Sequence, residues 1–249
     1  MKKIGIVIAL VLMISLISSG CADNSKPEPE PEPVSGIFSE VPWADRELIN
    51  YTVQDYDGNE VGFIGLTLAR DLRDTYVLKQ IHIVKERLDS RLMIVKVRAD
   101  NLKPITGVIT LGNISPTPLI EYHYENSVLN IEKSTTEGEV TYQTIDIPED
   151  AYDNYELPFM LRALPFKIGY TATFTNVIVN RAETQIATVT VVGEEELQVP
   201  AGNFDTYKVE FASAGDKKYF WYAQEKPHHL IKLDDGTGIV LLEEIEEEL

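Results

Sequence analysis

The residues able to do chemistry are few and scattered. Histidines stand at 82, 123, 228 and 229, the one cysteine is Cys21, and Asp and Glu number 40. A histidine metal site needs imidazoles that converge, and His82 lies between Ile81 and Ile83 with no second ligand at a coordinating spacing. His228 and His229 are adjacent, so on a strand they point to opposite faces and do not simply share one ion. There is no G-x-S-x-G elbow, no H-E-x-x-H and no phosphate-binding glycine loop. DDGTG at 234–238 has the wrong order for an aspartic-protease triplet, and DYDGNE at 55–60 lacks the Glu that closes a calcium loop. Both read as hairpin turns around Asp-Gly. Two carboxylates at a set separation can hydrolyse a glycosidic bond, but the sequence singles out no pair. Neither a metal nor a cofactor is expected, and the chain reads as a non-enzyme. The aromatic residues remain: Tyr122 and Tyr124 share one strand face, Tyr219 and Trp221 share another, and Phe220 and Tyr222 take the face opposite Trp221. Such a pattern builds either a packed core or an aromatic-lined pocket for an apolar or sugar-like ligand.

The elements that position these residues begin after a leader. Lys2 and Lys3 precede an apolar run, Ile4 to Ile17, and then Ser18-Ser19-Gly20, so residues 1–20 read as a signal peptide. A lone Cys directly after this run resembles a bacterial lipoprotein signal, although Ser18 stands where such signals usually carry Leu. The resemblance implies cleavage before Cys21, a lipid such as palmitate on its sulfur, and a membrane anchor in the cell envelope. With no second cysteine there is no internal disulfide, so the fold must rest on core packing. Residues 21–39 contain KPEPEPEP, which stays extended because Pro is stiff and the glutamates repel. At ~3.1 Å per residue, such a tether holds a domain roughly 30–40 Å from a membrane. The formal net charge is −18, or −20 once Lys2 and Lys3 are removed with the leader. That balance disfavours nucleic acid and anionic headgroups as partners.

Residues 40–249 read as one β-rich domain. RLMIVKVRA sets Met93, Val95 and Val97 on one face and Lys96 and Arg98 on the other, the period of a half-buried strand. Similar short runs follow one another with turn signals between them, an antiparallel meander. ETQIATVTVVG and EEELQVP read as two separate strands, and VPAGNF as a hairpin with Ala201-Gly202 at its turn. One segment breaks the series: Leu157, Leu161 and Leu164 have helical spacing, and a short apolar helix is expected from Glu156 to Leu164. The expected fold is mainly β: a large curved antiparallel sheet, half-barrel or sandwich-like, with one short apolar helix packed on it.

ELPFMLRALPFKIGY, VTVVGEEELQVPAGNFDTYKVEF and KYFWYAQEKPHHLIKL, with NYTVQDYDGNEVGF and LKPITG, resemble a family of secreted bacterial proteins of unknown function. Arg162 to Pro165, Gly193 to Phe204 and Trp221 carry the most specific part of this resemblance, which implies no activity and no site residue. More loosely, the arrangement resembles the half-barrel carriers of lipoprotein sorting. Three roles follow as expectations. In the first, the interior around Phe159, Leu161, Trp221 and Tyr222 binds an apolar or lipid-like molecule. In the second, the chain is a structural or adaptor protein of the envelope, with another envelope protein as partner. In the third, it is a carboxylate-based hydrolase.

Overall fold

The computed structural model describes residues 37–38, 41–71, 74–86, 89–111 and 119–247. The expected signal peptide, Cys21 and nearly all of the tether lie outside these residues. Period-two alternation is realised in several of the strands. In β4 (Asp89–Arg98), for example, Met93, Val95 and Val97 are buried on the inner face.

Among the described residues, 15 strands join in a single sheet. Its first half is β1 (Arg46–Gln54), β2 (Glu60–Asp71), β3 (Thr75–Val84), β4, β5 (Pro104–Leu111), β6 (Ile120–Glu125), β7 (Val128–Ser134) and β8 (Val140–Asp146). The second half is β9 (Ala151–Asp153), β10 (Thr171–Ile178), β11 (Glu183–Val199), β12 (Gly202–Ser213), β13 (Asp216–Ala223), β14 (Leu230–Asp234) and β15 (Ile239–Glu247). β1 pairs with β15 in the middle of the sheet, and the two halves run outwards from there to edges at β8 and β9.

These two edge strands are consecutive in the chain, joined only by residues 147–150. An extended stretch of this length reaches at most roughly 18 Å. The sheet must therefore curl until the end of β8 comes within that distance of the start of β9, as the right-handed twist of strands allows. No ladder joins β8 to β9. Side chains make the closure instead: Met93, Ile109, Tyr122, Leu129 and Ile131 pack against Ala151, Val177 and Val179. Lys103 Nζ and Lys133 Nζ add bonds to the carbonyls of Ala151 (3.2 Å) and Asn180 (3.0 Å).

Between β9 and β10 the chain enters the concavity. Leu157–Met160 form α1 and Leu161–Ala163 a single 3-10 turn. The helix is shorter than the expected Glu156–Leu164, because Pro165 drives the preceding Leu164 to an extended ψ of 146°. Its residues are buried all round, which explains why it lacks a polar face. Leu157, Phe159, Met160, Leu161 and Leu164 join Ile49, Leu66, Val95, Val189, Val209 and Leu242 in the main core. The two strands expected at ETQIATVTVVG and EEELQVP are one strand, β11, of 17 residues, whose register shifts at Val191/Gly193. This bulge accommodates the break in alternation without ending the strand.

Gly107 faces Tyr122 across β5 and β6, and a Cβ there would collide with the tyrosine ring. Gly107→Ala is expected to lower stability by about 1–3 kcal/mol through overpacking, read as a reduced urea midpoint with an unchanged m-value.

Candidate functional site

The internal segment is fixed at one end by charge. The Arg162 guanidinium donates to Glu47 Oε2 (2.6 Å) and Oε1 (3.1 Å) and to the Pro227 carbonyl (3.0 and 2.9 Å). Both side chains are almost fully buried, at 2% and 1% exposure. The Ala44 N–H also donates to Glu47, and His229 Nε2 stands 3.6 Å from it. Burial pushes the Glu47 carboxyl up, but the neighbouring His229 and Arg162 outweigh this and hold it at about 2. Tyr222, inside β13, adds a bond from its hydroxyl to the Pro158 carbonyl (3.2 Å).

Just before α1 the turn carries two buried acids. Asp153 accepts from the Tyr155 N–H (2.8 Å) and the Tyr124 hydroxyl (2.9 Å). Burial raises its carboxyl from an ordinary 3.8 to about 6, against the pull of Tyr155, Tyr124 and Tyr122. Glu156 Oε1 accepts the Asp153 N–H (2.8 Å), while its Oε2 has no partner among the described residues. Burial, then the charge of Asp153, lifts the Glu156 carboxyl well above the usual range, so the interior favours the protonated acids.

Held this way, residues 154–158 stand in one mouth of the curled sheet and leave a cavity on each side. The larger is about 570 Å³ and lies under α1, between β1–β3 and β13–β15. Its walls include Val53, Ile64, Leu157, Pro158, Phe220 and Val240. Several of the polar groups that line it are bonded within the protein. Gln80 donates to the Tyr155 carbonyl and contacts His82 Nε2 at 3.1 Å. Burial, with help from Arg91, pushes the His82 imidazole down to about 4. The carboxylates of Asp55 and Asp235 at the lip are occupied by N–H groups of their own turns. Across the segment, a more polar cavity of about 470 Å³ is lined by Asn176, Asn180, Gln185, Ser213 and Asp216. Lys218 borders both cavities.

The four residues singled out in the sequence separate. Phe159, Leu161 and Tyr222 lie together in the main core, surrounded by side chains. Trp221 is on the other face of β13, where its indole donates to Glu195 (2.9 Å) and its ring lies between Lys208 (4.9 Å) and Lys232 (4.5 Å). None of the four lines the 570 Å³ cavity. Its lining was partly foreshadowed by Gln80 and His82, polar residues at inward positions of β3 in phase with Leu78. The VPAGNF hairpin has Pro200-Ala201 as its two-residue turn, since Val199 pairs with Gly202. The Ala201 N–H donates across the concavity to the Leu242 carbonyl (3.2 Å), a structural tie. DYDGNE and DDGTG are the β1–β2 and β14–β15 turns. His228 and His229 diverge, one against Phe166 and one towards Glu47. Among the described residues no group of three or more His, Cys, Asp and Glu converges as a metal site would require.

Glu47→Gln removes the countercharge of a buried guanidinium and is expected to cost about 3–5 kcal/mol in urea unfolding. Asp153 is a group with a raised folded pKa. Its contribution is complete below pH ~4 and is lost as pH rises through about 6. Asp153→Asn should therefore flatten the fall in stability between those pH values, by on the order of 1–3 kcal/mol, in unfolding curves measured across the range. Glu47 acts oppositely: its contribution is complete above pH ~4.5 and is lost progressively as pH falls from there through about 2.

A similar fold is found among solved structures. A β-barrel-like protein of a domain of unknown function, DUF1849, from Brucella abortus is 11% identical, with a TM-score of 0.56 over 85% of this chain and 100% of that one. A protein described as exported, with a YmcC-like fold, from Bacteroides fragilis is 10% identical, with a TM-score of 0.37 over 85% and 100% of the two chains. A protein described as a lipoprotein, from Parabacteroides distasonis, is 13% identical, with a TM-score of 0.32 over 85% and 99%. No curated protein matches the sequence. Residues 50–242, nearly all of the curled sheet together with its internal segment, match the family described as "Protein of unknown function (DUF3108)", and the chain belongs to that family.

Proposed function

We propose that the chain is a lipid-anchored, extracytoplasmic lipoprotein that binds an apolar or lipid-like molecule in the 570 Å³ mouth cavity and does no chemistry on it. The cavity itself carries this reading. Its size falls within the range of small-molecule sites, its walls are mainly apolar, and its polar groups other than Lys218 are mostly neutral or already bonded. Anchoring rests on the leader and on Cys21, with the tether as spacer and the membrane as the partner of the lipid. The acidic balance speaks against nucleic acid.

Hydrolysis by paired carboxylates has less support. Asp153 and Glu156 are buried but border none of the described cavities. Glu121 and Glu132 share a groove, but neither is buried.

The test is titration with N-phenyl-1-naphthylamine, an uncharged apolar dye whose fluorescence rises on leaving water. The wild-type domain should bind it saturably, and Ile64→Trp, which pushes an indole into the cavity, should weaken binding by about tenfold or more. No saturable binding to the wild type, or equal binding by a folded Ile64→Trp variant, would sink the proposal.

A further inference from the structure

The two edges of the sheet are treated differently. β9 has three residues, all buried. β8 has seven, of which Val140 is 44% and Tyr142 74% exposed. Natural sheets protect such edges with Lys, Pro, bulges or a covering element. β8, VTYQTID, has no Lys and no Pro, and its register with β7 runs unbroken from Val140 to Asp146.

The pairing also shows which backbone groups are free. Thr135 N–H bonds to the Glu139 carbonyl, and Ile147 N–H to the Ser127 carbonyl. Hydrogen-bonded pairs alternate along an antiparallel ladder. Residues 141, 143 and 145 therefore turn their N–H and C=O groups to β7, while Val140, Tyr142 and Thr144 turn theirs outwards.

The charge along this edge strand and its flanking turns is of one sign, the nearest cation, Lys133 on β7, being bonded to the Asn180 carbonyl. Residues 135–150 carry Glu137, Glu139, Asp146, Glu149 and Asp150 and no Lys or Arg. On the convex face Glu121 lies directly opposite Glu132, and Glu132 directly opposite Tyr142. Like charges placed this way repel, and neither glutamate forms an ion pair with a described residue. They line a groove of about 400 Å³ with His123, Asn130, Tyr142 and Thr144.

We propose that β8 is a docking edge for an extended, basic segment of another polypeptide, added as a further strand. Its Lys or Arg side chains would cross Tyr142 to reach Glu132, with Glu121 adding to the negative field beyond it. The distance fits, since a strand added to β8 lies two strand spacings, about 9.6 Å, from β7. Both recognition elements are then used: the free backbone groups and the unpaired acids. A second copy of this chain offers no complementary charge, because residues 135–150 carry five acids and no Lys or Arg, so a β8–β8 pair brings like charges together. The chain's own KPEPEPEP stretch is acidic and lacks every second N–H.

The experiment is fluorescence anisotropy of the full-length protein with labelled peptides as long as β8. An alternating Lys-Thr peptide should bind, and an alternating Glu-Thr peptide should not. Two N-methylated forms, one blocked at every Lys nitrogen and one at every Thr nitrogen, separate strand addition from simple charge attraction. One of the two should lose about tenfold or more in affinity and the other should keep it, because only one set of N–H groups faces the edge. Tyr142→Pro removes an outward N–H without touching the β7 ladder and should weaken the Lys-Thr peptide by a similar factor. The proposal is overturned if the two methylated peptides bind alike, or if the Glu-Thr peptide binds as well as Lys-Thr. It is also overturned if sedimentation shows a dimer that Tyr142→Pro abolishes, which would give the edge to a second copy.

Discussion

The ion pair between Arg162 and Glu47 is the constraint on which the rest of the arrangement depends. It joins residues 115 positions apart in the sequence and lies where water does not reach. Removing two charges from water is costly, and their mutual attraction roughly offsets that cost only when the geometry is bidentate and the remaining donors are satisfied. Both conditions hold, because Arg162 donates twice to Glu47 and twice more to the Pro227 carbonyl. Such a pair contributes position more than stability. It fixes the internal segment against β1, the strand at the centre of the sheet, and against the turn between β13 and β14. Tyr222 holds the same segment at Pro158. Residues 154–158 are thereby held off the strands at the far mouth, and the space left over is the larger cavity.

Much of the architecture was legible because strand alternation is a local signal. The meander, the turns around Asp57-Gly58 and Asp235-Gly236, and the apolar segment before Pro165 could all be read from neighbouring residues. So could the division of β13, with Trp221 on one face and Phe220 and Tyr222 on the other. Which face turned inwards was not legible, since both are apolar and both are covered. The acidic run Glu194 to Glu196 masked the continuity of β11, because a bulge shifts the alternation there. The cavity had no local signature at all. It arises from the stand-off between the internal segment and strands far away in sequence. Glu47 was a sign that could have been followed: a carboxylate in phase with the inward Ile49 and Tyr51 needs a buried cation.

The segments on which the sequence resemblance rests act as ties within the fold. Arg162 belongs to the buried pair, Ala201 in the VPAGNF turn donates to Leu242, and Trp221 is closed over by Glu195, Lys208 and Lys232. The surfaces proposed for binding lie elsewhere, at the mouth beside Pro158 and along the outer edge of β8.

The proposed binding role is tested most directly by native mass spectrometry of the full-length protein, isolated from its own cells in mild non-ionic detergent. The account predicts a mass above that of the lipid-modified chain, released as an apolar molecule on activation and absent from Ile64→Trp prepared in the same way. A single species at the mass of the lipid-modified chain alone, with solvent extracts free of any bound molecule, would contradict it.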